Sequence, residues 1–413
     1  MFKVIDRLSV KVTTFCNMNC SYCHQLSLDK DKPGTFQHYD ELKAFLARCN
    51  MAPRVKTTIT GGEISLRLAE FQRCCEELNS IGNAVYAPNV VTNGSNLKGL
   101  LNLVRKGVMR ADALTLSWDG LHSCSRTRHG KGNTYSDAYF NNNIRMIGRL
   151  GLGHEVNPVY AVTPANVDEM YDSMRFCIDN GVENFTYYLI HEGNYDDEDF
   201  LRRFRAQLEK MADEFAACYG TERQFALYNL QNLYSRLRFG GDFLSNITCR
   251  KLGRTLHIDT EGDIYGCIYF GDHRALQLGS ILDGGMYEDR LEEFSKLFLK
   301  KPSCMEGCSL VNCFECPASN YVSLGEMQEK RGHACQVRRI EQEVFDDVLE
   351  RIHITDAEKN SFWLDYDAES GNHMLVKAYD RQTLGVPLAT SERHRKNRTP
   401  IDSEHKEEIA AWH

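Results

Sequence analysis

The sequence predicts an α/β protein whose first half is a parallel sheet and whose second half is organised by cysteines. Two observations lead there. Short apolar runs alternate with amphipathic ones six times before residue 191, and the 16 cysteines gather in two groups. Strand-then-helix repeats of this kind build a parallel sheet, either an open doubly wound one or a curved partial barrel.

The elements run in order along the chain. "LSVKVTT" (8–14) is a strand by its β-branched content, and three cysteines come directly after it. "YDELKAFLARC" has helical spacing, "VKTTIT" is a strand ending at Gly61-Gly62, and "SLRLAEFQRCCEELNSIG" is a helix closed by Gly82. "PNVVT" with "SNLKGLLNLVRKG" repeats the unit, as do "DALTLSW" with "YSDAYFNNNIRMIGRLG" and "EVNPVYAV" with "NVDEMYDSMRFCIDNG". "NFTYYLI" is the sixth strand. Residues 197–240 are helical in pattern and bridge to a cysteine-rich stretch, 249–335, that is short of periodic elements. "VRRIEQEVFDDVLERIHI" is an amphipathic helix with Val337, Ile340, Val344, Val348 and Ile352 on or near one face. The polar end, "SERHRKNRTPIDSEHKEEIAAWH", reads as loosely ordered. The expected organisation is a sheet domain over 1–195, a helical bridge over 196–245, a cysteine-rich domain over 246–340, and a C-terminal helix and tail over 341–413.

Composition narrows the function classes. Of the 413 residues 42% are hydrophobic and 26% charged, and the net charge is -8, which excludes a basic nucleic-acid footprint. No run of 18 apolar residues is present, and "MFKVIDRLSVKV" lacks the features of a signal peptide, so the expected compartment is a reducing cytoplasm. There cysteines hold metal rather than disulfides. Cys49, Cys74, Cys75, Cys124, Cys177 and Cys218 are scattered and read as core thiols. In parallel α/β folds ligands collect at the carboxyl ends of the strands. The conspicuous residues fall there: the cysteines after strand one, "TGGE" after strand two, "TNG" after strand three and "SWDG" in strand four's wake.

Cys16, Cys20 and Cys23, in "CNMNCSYC", are three soft thiolates where a closed zinc site needs four. The stretch matches CxxxCxφC, with Tyr22 as the aromatic, and with "TGGE" downstream the chain resembles the radical S-adenosylmethionine (SAM) superfamily. The resemblance implies a partial (β/α)6 TIM-like barrel. It implies that Cys16, Cys20 and Cys23 ligate three irons of a 4Fe-4S cluster whose fourth iron binds SAM. Thr60, Gly61, Gly62 and Glu63 resemble the motif that receives the methionine amino group, with Ile64 in place of its proline. Asn93, Ser117 and Arg128 resemble polar SAM contacts, and Arg126 is an alternative to Arg128.

Cys249, Cys267, Cys304, Cys308, Cys313, Cys316 and Cys335 resemble a SPASM domain, an extension carrying two auxiliary 4Fe-4S clusters, although the central spacings here are three, four and two. Carried over by position, Cys304, Cys308, Cys313 and Cys335 close one cluster. Cys249, Cys267 and Cys316 hold the other, with an open iron or a ligand such as His257 or Asp259. Taken without the resemblance, four of these thiols suit one zinc site.

The implied chemistry is reductive cleavage of SAM to a 5′-deoxyadenosyl radical that takes a hydrogen atom from the substrate. SPASM-bearing relatives mostly modify peptides or proteins, so the expected function is a maturase that installs a thioether or carbon–carbon crosslink in a ribosomally made peptide. One branch, the anaerobic sulfatase-maturating enzymes, uses an aspartate directly after the cysteine corresponding to Cys267; Ile268 stands there. The first strand opens near residue 8, so no leader-recognition domain is expected ahead of it, and a precursor peptide must dock on the enzyme or through a separate leader-binding protein. A flavodoxin or ferredoxin type electron donor is implied. The alternatives are a radical SAM dehydrogenase of a small-molecule or carbohydrate alcohol, and a zinc-stabilised binding protein.

Overall fold

The computed structural model describes residues 4–23, 25, 34–128, 135–190, 195, 197–231, 233, 254–271, 273–299, 310, 318, 320–321 and 332–352. Six parallel strands come first: β1 (Ile5–Thr13), β2 (Met51–Gly61), β3 (Val85–Thr92), β4 (Leu114–Ser117), β5 (Asn157–Val162) and β6 (Asn184–Leu189). Between them run α1 (Tyr39–Arg48), α2 (Leu68–Asn79), α3 (Leu97–Arg105), α4 (Cys124–Thr127), α5 (Asp137–Arg149) and α6 (Met170–Asp179), and α7 (Glu198–Cys218) comes after β6. The strands pair in sequence order, each parallel to the next, as short strand–helix–strand crossovers require.

Local chemistry sets the boundaries. Ser136, Asn96 and Asp197 cap α5, α3 and α7, each side chain accepting from a backbone N–H of the first turn. Gly151 lies just past α5 with φ +66°, a left-handed conformation that glycine adopts without a Cβ clash. β2 begins four residues before the expected "VKTTIT" run. Its pairing with β1 is irregular between Met51 and Lys56, the stretch that holds Pro53, which cannot donate to a ladder. The helix expected from Ser65 starts at Leu68 instead. A single 3-10 turn, Ile64–Leu66, precedes it because the Glu63 carboxylate accepts from Ser65 N.

The alternation along the strands separates two faces. Leu8, Val10, Val12, Val55, Ile59, Val90, Leu114, Leu116, Tyr160 and Tyr187 are buried against the helices. The opposite face carries Lys11, Thr60, Val91, Ser117 and Tyr188, and it is open enough to leave Val91 53% and Tyr188 39% exposed. This hollow is the inside of a partial barrel.

The sheet does not close, and it extends beyond six strands. β7 (Ala226–Leu227) adds parallel to β6. β8 (Thr255–Ile258) adds parallel to the other side of β1, with Ser9 opposite His257. β9 (Asp263–Tyr265), β10 (Gly279–Ser280) and β11 (Gly285–Met286) continue antiparallel from β8, so the order is β11-β10-β9-β8-β1-β2-β3-β4-β5-β6-β7. The cysteine-rich stretch thus begins as an extension of the barrel sheet. Strands of two to four residues leave no periodic pattern, which is why the sequence offers no strand there.

α8 (Glu288–Leu299) and α9 (Gly332–Arg351) follow. Val337, Ile340, Val344 and Val348 of α9 are buried, Ile352 just beyond it is partly so, and α9 lies along α7 through Arg205–Glu343 and Arg351–Asp213 ion pairs. The Tyr187 hydroxyl donates to Glu341 of α9, 2.9 Å away, anchoring that helix to β6. No helix among the described residues is long and apolar enough to cross a membrane.

Candidate active site

The carboxyl ends of β1 to β4 converge on the loop that carries Cys16, Cys20 and Cys23. Two backbone bonds fix its start: Gly62 N donates to Thr13 O at 3.1 Å and Glu63 N to Phe15 O at 2.7 Å. The approach is close. A Cβ at Gly62 would overlap the Phe15 carbonyl and lie 2.7 Å from Cys16 Cβ, and one at Gly61 would lie 2.8 Å from Thr13 Cγ2. Glycine at 61 and 62 is therefore a condition for seating the cysteine loop on β2. Thr60, next to last in β2, and Ser117, the last residue of β4, lie on the hollow face, half-buried.

Glu63 is 2% exposed and ties three elements together. One carboxylate oxygen accepts from Ser65 N at 3.0 Å and Thr92 Oγ1 at 2.6 Å, and the other from Asn93 N at 2.6 Å. Asn93 passes the connection on: its Nδ2 donates to Asn17 Oδ1 at 3.1 Å, and Asn17 Nδ2 donates to Ser95 Oγ and to the Tyr135 hydroxyl. The residue after Cys16 is thus held to the end of β3 by an amide network that motif spacing does not indicate.

A second network grips the loop from β4. Asp119, fully buried, accepts from Arg128 Nη2 at 2.7 Å through one oxygen and from the Tyr22 and Thr127 hydroxyls through the other. Arg128 lies over the Tyr22 ring, 5.5 Å from its centroid, with Nη1 4.0 Å from Cys20 Sγ. Its Nε is buried without a partner. Ser21 N donates to Thr127 O at 3.1 Å. Of the two candidate arginines, Arg126 points away, paired with Glu169 at 2.9 Å and mostly exposed, and Arg128 faces the cysteines. Asp119 is a site residue that the sequence does not single out: in "SWDG" the resemblance to SAM contacts falls on Ser117, two positions earlier. Its turn is also held by a thiol, with Asp119 N donating to Cys124 Sγ at 3.1 Å.

Burial pushes the Cys16 thiol up to about 11, although Met18 N donates to its sulfur. Burial also raises Cys20, against the pull of the Arg128 cation. A buried thiol of this kind gives up its proton when a metal takes its place. Among the described residues no three His, Cys, Asp or Glu side chains form a single-ion site. Thiols that each serve a different iron need not converge on one point.

Of the seven downstream cysteines, Cys267 and Cys335 are described. Both are half-buried, Cys267 just after β9 and Cys335 on α9. Cys249, Cys304, Cys308, Cys313 and Cys316 lie outside the described residues. His257 is buried on β8 with Nδ1 3.0 Å from Ser9 Oγ. Asp259 uses one carboxylate oxygen to accept from Glu261 N and Asp263 N, which shapes the turn between β8 and β9. Burial, chiefly, pushes the Asp259 carboxyl up to about 6. A folded value above the ordinary one near 4 means that its contribution to stability is complete below about pH 4 and is lost as the pH rises through about 6, a swing of about 3 kcal/mol. Asp259→Asn should remove that slope. Urea unfolding of both proteins at pH 4.5 and 7 checks it: the variant should gain on the native chain as the pH rises, and parallel pH dependence would contradict it.

Comparison with known proteins bears on the domain and the fold. Residues 10–204 match the model of the radical SAM superfamily. The chain carries a radical SAM domain. That superfamily consists of enzymes that use SAM and a 4Fe-4S cluster, and residues 10–204 run from the middle of β1 into α7. A pre-heme d1 synthase of Dinoroseobacter shibae is 27% identical over 190 residues, which are 44% of this chain and 42% of that one, so the match spans under half the length of the curated relative. The likeness in fold reaches past the radical SAM domain: anSMEcpe with bound AdoMet superposes on 85% of this chain and 96% of its own (TM-score 0.66, 18% identity). A similar likeness joins this chain to Streptococcus suis SuiB bound to S-adenosylmethionine (TM-score 0.55, 16% identity, 80% and 77%).

Proposed function

We propose that the chain is a maturase that uses its radical SAM domain to abstract a hydrogen atom from a ribosomally made peptide or protein and to install a thioether or carbon–carbon crosslink. The observation that carries the SAM site is Arg128. A buried guanidinium fixed on one side by Asp119, with Nε unpartnered and Nη1 beside Cys20, suits an anionic group next to the cluster position. Cys16, Cys20 and Cys23 would hold the cluster. The glycine cradle at Gly61-Gly62 with Glu63 would take the amino group of SAM, and Arg128 its carboxylate. Thr60, Asn93, Ser117 and Tyr22 would border the rest of the ligand.

Bound there, the cluster and SAM supply a radical able to remove hydrogen from an unactivated C–H bond. The chain's own residues would position the reagent at the strand ends, and they present a hollow face on which Val91 and Tyr188 are exposed where a substrate would lie. A peptide fits that open hollow, and support comes from neighbours in fold: anSMEcpe is known with bound Cp18Cys peptide, and SuiB with precursor peptide SuiA. Cys249, Cys267, Cys304, Cys308, Cys313, Cys316 and Cys335 would hold two auxiliary 4Fe-4S clusters, with a flavodoxin or ferredoxin as electron donor and leader recognition by the enzyme itself or a separate protein. Ile268, directly after Cys267, supplies no carboxylate for a base, so any proton acceptor lies elsewhere in the hollow.

Anaerobic reconstitution tests the proposal. The native chain should take up about twelve irons, and about eight when Cys16, Cys20 and Cys23 are replaced by alanine. It should release 5′-deoxyadenosine under dithionite, and a peptide substrate should gain a crosslink with loss of hydrogen by mass spectrometry. Zinc content without SAM cleavage would overturn it. Arg128→Met should weaken SAM binding about 10- to 100-fold, the loss of a charge-assisted contact, as read by equilibrium dialysis. Unchanged affinity would remove Arg128 from the carboxylate site.

A further inference from the structure

We infer that Asp119 is a positioning residue of the radical SAM site: its carboxylate fixes Arg128 and Tyr22 against Cys20 and balances the charge beside the cluster, holding the reduction potential low. The inference rests on the proposal that Cys16, Cys20 and Cys23 hold the cluster.

The geometry is specific. Asp119 and Arg128 are both nearly sealed from water, at 0% and 5% exposed. Arg128 reaches Asp119 through Nη2 and Cys20 Sγ through Nη1, so one rigid guanidinium spans the carboxylate and the sulfur. The other Asp119 oxygen collects the hydroxyls of Tyr22, from the cysteine loop, and Thr127, from α4. Thr127 in turn receives Ser21 N on its carbonyl. One carboxylate therefore governs the placement of Ser21 and Tyr22, the two residues that follow Cys20, and of Arg128 against its sulfur.

This placement has an electrostatic consequence. Groups around a cluster's sulfurs tune its potential, and charges act strongly where water is excluded. An uncompensated Arg128 cation at Cys20 would stabilise the reduced, more negative cluster and raise the potential. Asp119, 2.7 Å from that cation, cancels most of its field. A cluster asked to pass an electron to bound SAM gains driving force from a low potential, so the pair favours the reaction while still allowing Arg128 to donate hydrogen bonds.

The test is a redox titration of the reconstituted protein monitored by electron paramagnetic resonance, with Cys249, Cys267, Cys304, Cys308, Cys313, Cys316 and Cys335 replaced by alanine if auxiliary signals overlap and the protein still folds. Asp119→Asn should move the midpoint to more positive potential, Arg128→Gln should move it to more negative potential, and the double variant should return near the native value. Tyr22→Phe keeps the charges and should leave the midpoint where it is. Full loading of Asp119→Asn with an unmoved midpoint would overturn the inference. If Asp119→Asn does not load, Arg128→Gln alone decides by the same shift. Failure of the two single variants and the double to load would also overturn it, assigning Asp119 a purely structural role. A native chain that binds no cluster would instead sink the proposed function itself.

Discussion

Gly62→Ala should abolish cluster loading while leaving the fold in place. The added Cβ would overlap the Phe15 carbonyl and crowd Cys16 Cβ at 2.7 Å, and both neighbours belong to one short loop whose backbone is pinned by the Gly62 N–Thr13 O and Glu63 N–Phe15 O bonds. A flexible side chain could step aside, but a carbonyl held in that way cannot do so without moving the cysteine with it. The helices and the remaining strands do not depend on this approach, so circular dichroism should match the native protein. Iron and sulfide analysis after anaerobic reconstitution should show the loss of about one four-iron cluster, and SAM cleavage should fall at least 100-fold. Native iron content with native cleavage would mean that the loop has another way to seat its thiols.

Glu63→Ala should destabilise the chain by about 3–5 kcal/mol, more than any other single change at the site. The substitution strands Ser65 N, Thr92 Oγ1 and Asn93 N in a place that water does not reach. Each was bonded to a charged acceptor, and contacts of that kind contribute about 1.5–3 kcal/mol. Glu63→Gln should fall between. Its amide oxygen can still receive Ser65 and Thr92, but its NH2 meets the Asn93 N–H donor to donor. Urea unfolding should rank the native chain above Gln and Gln above Ala, and Ala should also lose SAM affinity because Asn93 and Asn17 are no longer aligned. A denaturation midpoint for Ala equal to the native one would refute the anchoring role of this carboxylate.

Much of the barrel is legible in the sequence because every strand of β1 to β6 except the four-residue β4 has six residues or more, enough to alternate, and because glycine comes after several of the helices. The cysteine loop is legible for a different reason: "CNMNCSYC" and "TGGE" record chemistry rather than propensity. The site residues that leave no signal share a cause. Asp119, Asn17 and Tyr135 act across 97 to 118 residues of chain, through Tyr22–Asp119 and Asn17–Tyr135, and no local pattern marks a residue whose partner is so distant. Gly62 is expected at the ligand, and its tight approach to Cys16 appears only in three dimensions. β8 to β11 are silent because strands of two to four residues carry too few positions to alternate. The motif assigns Glu63 to the SAM ammonium. Its three protein donors add a role in holding β2, β3 and the cysteine loop in register, which a motif cannot convey.

The pairing of β8 with β1 has a consequence for how the chain is made. Ser9 and His257 are 248 residues apart in sequence, so one edge of β1 has no partner until about that many further residues have been synthesised. At about 5–20 residues per second that interval is roughly 12–50 s. For this time the β1 edge, with its buried apolar residues Leu8, Val10 and Val12, is a template open to other chains. A fragment that stops short of β8 would keep that edge permanently. Expression of the radical SAM domain by itself should therefore yield aggregates, and slowing translation before residue 255 should increase the demand for chaperones.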